Sequence, residues 1–218
     1  MNGIEAAGSA TPIRILGGGA TPDLEARWLE PRAATERACV LAPPHPLYGG
    51  TLDSPILVTL ERAARAAGLA VLRFNWRGVE GSAGRATDDP GAAVADYLAA
   101  LGEAARRVPG PLVAGGYSWG AMAAVRAAAE ASRVDRLVLV APPALMLDAT
   151  ALAVLARAML VFAGEHDRIA PPPRLASSLA PLARAELVTF AGADHFFAAS
   201  LGEMDRVTRA WLERDSPR

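Results

Sequence analysis

Gly115-Gly116-Tyr117-Ser118-Trp119-Gly120 follows the apolar run Leu112-Val113-Ala114 and precedes an alanine-rich stretch at 119–131. The pattern G-x-S-x-G therefore falls where a strand turns into a helix. A side chain presented on so sharp a turn needs glycine beside it, because strand and helix backbones must approach closely there. Working outward in both directions, apolar runs of strand length alternate with segments of helical period. Strands are expected at 38–42, 69–75, 112–116, 134–141, 159–163 and 185–190, and helices at 54–67, 91–107, 119–131, 172–182 and from about 197 to 213. Two short strands near 12–16 and 25–29, joined by Gly17-Gly18-Gly19, suit an antiparallel hairpin at a sheet edge. The rhythm is that of an α/β fold with a mostly parallel sheet between helices. The 218 residues, 52% of them hydrophobic, suffice for a single domain over 1–218 with one core, flexible at its ends 1–11 and 214–218.

Charge narrows the function. Lys and Arg number 22 against 23 Asp and Glu, a net charge of -1, so no basic stripe points to nucleic acid and no feature points to a membrane surface. The expected partner is a small molecule. The single cysteine, Cys39, cannot form an internal disulfide and lies in the buried-strand run 38–42. With no signal-peptide pattern at the start and no apolar run of spanning length, the expected compartment is the cytoplasm.

In parallel sheets, ligands meet the carboxyl ends of the strands. Ser118 at such an end is a candidate nucleophile, but a serine hydroxyl needs a base to remove its proton. Of His45, His166 and His195, His195 is preferred, since it follows the last strand and its loop returns over the same edge. The imidazole needs a carboxylate to fix its tautomer. Asp167, after strand 159–163, supplies one in the chain order Ser, Asp, His; Glu165 and Asp194 compete for that role, and His166 reads as a solvated loop residue. An oxyanion requires two aimed N–H donors. The Trp119 amide is one, and in the loop after strand 38–42 the Leu47 amide is the other, because Pro43, Pro44 and Pro46 carry no N–H. His45 is read as a brace for that loop. Arg77 is read as a bracing ion-pair partner in preference to an anion binder.

Four segments, His45–Gly50 (HPLYGG), Arg73–Val79 (RFNWRGV), Gly116–Gly120 (GYSWG) and Ala193–Phe197 (ADHFF), together resemble the small bacterial α/β-hydrolases of unassigned substrate, near the dienelactone-hydrolase and carboxylesterase branches. The resemblance spans about 38–200. It implies eight strands with the second antiparallel and helices on both faces; it implies no cofactor, and none, nor any metal, is expected. Ser118 stands where a dienelactone hydrolase has cysteine and where an epoxide hydrolase or haloalkane dehalogenase has aspartate, so those activities are disfavoured. Fewer than about twenty residues separate strand 134–141 from strand 159–163, enough for one short helix within 142–157 but not for a lid. The expected site is open and shallow, walled by Leu47, Tyr48, Trp76, Tyr117, Trp119, Met146 and Phe196. The expected activity is hydrolysis of a small ester or thioester through an acyl-enzyme on Ser118. A cyclase or carbon–carbon bond hydrolase on the same scaffold, and a non-catalytic binding module, are the alternatives. A homodimer is left open, since edge strands of such sheets often pair across a two-fold.

Overall fold

The computed structural model describes residues 10–19, 21–31, 33–147, 152, 155 and 157–214. Its centre is an eight-stranded sheet of β1 (Thr11–Ile15), β2 (Leu24–Leu29), β3 (Ala38–Ala42), β4 (Ala70–Phe74), β5 (Leu112–Tyr117), β6 (Val134–Val140), β7 (Ala158–Gly164) and β8 (Ala185–Phe190). Their spatial order is β1-β2-β4-β3-β5-β6-β7-β8. β2 pairs antiparallel with both β1 and β4, and every other pairing is parallel. The edge hairpin and the antiparallel second strand are as expected. All five residues of β3, all six of β5 and all seven of β7 are buried, which is why these strands read as unbroken apolar runs and not as alternating ones.

The helices are α1 (Pro55–Ala66), α2 (Pro90–Arg107), α3 (Trp119–Glu130), α4 (Pro172–Leu179) and α5 (Leu201–Glu213). Pro55, Pro90 and Pro172 occupy first-turn positions where a missing N–H costs nothing. Asp89 caps α2 by accepting from the Gly91 amide at 2.9 Å. From β3 the chain steps through α1 to β4, then returns through α2 to β5 on the other side of β3. Right-handed crossovers in opposite directions place α1 and α2 on opposite faces. α5 joins α1, with Arg62 Nε donating to Asp205 at 2.8 Å, and α3 packs beside α2. The reversal at β3 opens a crevice beyond the ends of β3 and β5, the place such a sheet offers to a ligand.

Three boundaries differ from the sequence reading. Residue 11 belongs to β1 and not to a flexible end, while 1–9 and 215–218 lie outside the described residues. The last helix starts at Leu201 and not near 197, because Phe197 takes φ +54°, a left-handed conformation that no helix accommodates. Within 142–157 the described part holds a turn at 144–146, closed by the Met146 amide on the Pro143 carbonyl at 2.9 Å. The rest of the expected short helix (148–151, 153, 154 and 156) lies outside the described residues. Among those described, no helix is long and apolar enough to cross a membrane.

Cys39 pairs with Val71 and Val113 in the middle of the sheet. Burial there pushes its thiol up from 9.0 to about 12, against a smaller opposing pull from Arg37. In the native protein the thiol is therefore expected to resist a thiol-specific disulfide reagent at neutral pH and to react once urea unfolds the chain; fast labelling of the folded protein would contradict this burial.

Candidate active site

Ser118 stands between β5 and α3 with φ 54° and ψ -113°. A non-glycine residue there costs of order 1–3 kcal/mol and persists only where its surroundings dictate it. Two glycines show how they do. A Cβ on Gly116 would lie 2.5 Å from the Gly120 carbonyl carbon, and one on Gly120 would lie 2.2 Å from the Ala42 carbonyl oxygen. The start of α3 is thus pressed against β5 and the end of β3, closer than any side chain permits. The Ser118 amide donates to the Val140 carbonyl at 2.8 Å, which ties the turn to β6.

The turn aims the hydroxyl at His195. Ser118 Oγ lies 3.0 Å from His195 Nε2, and His195 Nδ1 lies 2.7 Å from Asp167 Oδ2. The other Asp167 oxygen accepts from the amides of Ile169 and Ala170, both at 2.8 Å. Burial by itself raises the Asp167 carboxyl. The hydrogen bond from His195, with those from the Ala170 and Ile169 amides and the attraction of the His195 charge, outweighs burial and holds it below its ordinary 3.8. The competitors are engaged elsewhere. Glu165 Oε2 accepts from the Gly192 amide at 2.7 Å, and Asp194 Oδ1 accepts from the Phe196 amide at 2.9 Å. His166 is exposed. A carboxylate, imidazole and hydroxyl in this sequence can withdraw a proton from the hydroxyl and hold the resulting imidazolium.

The Trp119 amide at the start of α3 and the His45 amide in the loop after β3 make no hydrogen bond to another described residue. The Leu47 amide, expected in this role, instead donates to His45 Nδ1 at 3.2 Å, capping the turn Pro46–Tyr48. Sequence reasoning removed the prolines correctly but could not see that the His45 ring folds back on its own loop. Burial keeps that imidazole below its ordinary pKa against a weaker pull from Asp88, which suits a neutral acceptor nitrogen. The His45 ring also packs 4.5 Å from the Trp119 ring, whose indole N–H is buried with no partner among the described residues.

The expected pocket walls divide into two groups. Tyr48, Phe196 and the unforeseen Leu145 are 86, 71 and 85% exposed, and Leu47 and Ile169 are also exposed. They stand on the loops after β3, β6, β7 and β8. Phe196 lies 6.0 Å from the His195 ring, and Met146 is half-buried against the core. Trp76 and Tyr117, by contrast, are buried braces and not open walls. Trp76 Nε1 donates to the carbonyls of Pro43 at 3.1 Å and Pro44 at 3.0 Å. The Tyr117 hydroxyl donates to the His195 carbonyl at 2.9 Å. Arg77 is the brace that was read from the sequence, clamped on buried Asp96 through Nε at 3.0 Å and Nη2 at 2.6 Å. Tyr97 went unnoticed, since a lone aromatic on a helix reads as core. Its hydroxyl lies 2.8 Å from Val40 O, Gly115 O and Gly115 N, pinning α2 between β3 and β5 just behind Ser118. Among the described residues, no group of three or more His, Cys, Asp and Glu is placed to hold a metal ion.

The family model described as alpha/beta hydrolase family matches residues 39–159. An uncharacterized protein of Rickettsia prowazekii is 24% identical over 202 residues, 87% of this chain and 84% of that protein. Among solved structures, an alpha-beta serine hydrolase homologue from Coxiella burnetii is 27% identical with TM-score 0.81, covering 95% of this chain and 99% of that one. A serine hydrolase without lid from Xanthomonas campestris is likewise 27% identical, with TM-score 0.83, covering 100% and 99%.

Gly120→Ala is expected to cost about 1–3 kcal/mol in urea unfolding, because the new methyl meets the backbone of β3 and not a movable side chain; unchanged stability would mean that the strand–helix contact is looser than described. A lowered carboxyl pKa contributes stability that is full above the ordinary value and is lost as pH falls through the native one. Asp167→Asn is accordingly expected to destabilise most near neutrality, and the gap to wild type in urea midpoint should narrow as pH falls from about 5 through 3.8 and on toward the lowered native value. A gap constant across that range would contradict the ionised carboxylate.

Proposed function

Because the chain belongs to the alpha/beta hydrolase family and is a small lidless member of it, we propose that it is a serine hydrolase acting on small esters or thioesters through an acyl-enzyme on Ser118. The observation that carries this reading is the unbroken line from Ser118 Oγ through His195 to Asp167, with steps of 3.0 and 2.7 Å. Ser118 Oγ attacks the substrate carbonyl carbon while its proton passes to His195 Nε2. The tetrahedral oxyanion is held by the Trp119 and His45 amides. As it collapses, the bond from carbon to the leaving oxygen or sulfur breaks, and His195 returns the proton to that atom. Water then attacks the acyl-enzyme, gives its proton to His195, and leaves with the acyl group as the free acid, restoring the serine hydroxyl.

The surroundings support a small, partly apolar substrate. Residues 141–157 alone separate β6 from β7, so no inserted domain stands between them. Leu47, Tyr48, Leu145, Ile169 and Phe196, exposed on the loops at this edge, offer apolar contact. Such contact suits a short acyl or aromatic group better than a long lipid chain.

Exposure to a fluorophosphonate followed by intact-mass measurement is expected to add one adduct to the wild type and none to Ser118→Ala. Short-chain p-nitrophenyl esters and matched thioesters assayed in parallel should be turned over only by the wild type, with a rate loss of at least about a thousandfold in the variant. A folded wild type that takes up no label and cleaves neither substrate would overturn the hydrolase reading in favour of a binding module or a specialised pathway enzyme.

A further inference from the structure

We infer that Trp76 is a positioning residue that aims the His45 amide into the oxyanion hole, an inference that rests on the proposed hydrolase reading. The Trp76 indole is buried at the end of β4, edge-on to Phe74 at 4.9 Å, and its Nε1–H donates to the Pro43 and Pro44 carbonyls. The Pro44 carbonyl belongs to the same peptide unit as the His45 N–H. That peptide is trans, since the chain contains no cis peptide among its described residues, so its C=O and N–H point in opposite directions. A carbonyl held by Trp76 therefore turns the His45 N–H away from the indole, and the His45 ring that follows packs 4.5 Å from the Trp119 ring, next to Ser118 in the chain.

The rest of the loop is arranged to leave that N–H free. Pro43, Pro44 and Pro46 contribute no donors, and proline fixes φ at two consecutive positions before His45. The His45 carbonyl accepts from the Tyr48 and Gly50 amides, both at 3.1 Å, and its Nδ1 accepts from Leu47. Gly50 allows this closure: a Cβ there would lie 2.2 Å from the Pro44 oxygen. Trp76 makes the only side-chain hydrogen bond to the Pro44 carbonyl among the described residues. A hydrogen bond to a peptide carbonyl also polarises the N–H of that unit and strengthens it as a donor. Charge develops on the substrate oxygen only in the transition state, so an aimed amide raises kcat far more than it lowers KM.

The test compares wild type with Trp76→Phe and with a protein carrying benzothienylalanine at position 76 alone, which keeps the bicyclic shape and replaces N–H by sulfur. With a p-nitrophenyl ester, both are expected to lose roughly tenfold in kcat with KM within about twofold. The fluorophosphonate labelling rate should fall in step, because its transition state also places an oxygen in the hole. Thermal unfolding identifies any loss that comes from the smaller phenyl ring, and the benzothienyl protein controls for it. Wild-type kcat in a folded benzothienyl protein would overturn the positioning role while leaving the hydrolase reading intact. Failure of the wild type itself to label at Ser118 would overturn the hydrolase reading and this inference with it.

Discussion

The structure depends on one close contact, the seating of the α3 N-terminus against the backbones of β3 and β5. Gly116 and Gly120 remove the side chains that would hold these segments apart, and with that space gone Ser118 is driven to φ 54°. Nine of the twelve residues of α3 are buried, so the strain at Ser118 is offset by packing of the helix and cannot relax without moving it. The same seating sets the helix start, with its unpaired Trp119 amide, against the end of β3, where the partial positive charge of the helix terminus favours an anion. The positions of the proposed nucleophile and of one proposed oxyanion donor thus follow from a single packing event.

The proposed base, His195, is fixed by a separate set of contacts that converge on the same point. The loops after β7 and β8 are joined by the His166 amide on the Ala193 carbonyl at 2.9 Å and by Glu165 on the Gly192 amide. Gly164 allows them to touch, since a Cβ there would lie 2.5 Å from the Asp194 carbonyl oxygen. Asp167 is held by two backbone amides as well as by His195, and Tyr117, from the strand that leads into Ser118, holds the His195 carbonyl. Each proposed catalytic group is therefore positioned through main-chain contacts of a neighbouring loop, which leave little freedom for misalignment.

Much of this was legible in the sequence because it is local. Buried parallel strands announce themselves as apolar runs, and a glycine-flanked serine between strand and helix announces the turn. Ser118, Asp167 and His195 could be chosen by their position at strand ends. The misreadings have a common physical origin. Trp76 and Tyr117 are amphipathic, and whether such a ring walls a pocket or braces a carbonyl depends on a partner 33 or 78 residues away along the chain. Leu47 was selected by counting N–H groups, yet the deciding factor was the rotamer of His45. The start of the last helix was set four residues early because Phe197 carries no sequence mark of its left-handed backbone. Arg77 was read correctly because an arginine within a turn has many more ways to pair with a nearby carboxylate than to await an anion.

A lidless site places a particular demand on this framework. Leu145, Tyr48 and Phe196 are exposed on the loops at this edge of the sheet, and without a lid the low dielectric that would strengthen weak or poorly aimed dipoles is not available from closure. Stabilisation of a developing oxyanion must then come from donors already aligned before the substrate arrives. The buried hydrogen bonds behind the site supply that alignment: Tyr97 between β3 and β5, Trp76 on the Pro44 carbonyl, and Arg77 locked to Asp96 one residue further on. These groups lie in the dry part of the fold, where a hydrogen bond is difficult to exchange for water. The proposed chemistry takes place at the wet edge of the sheet, but its geometry is determined one layer below, in side chains that no substrate touches.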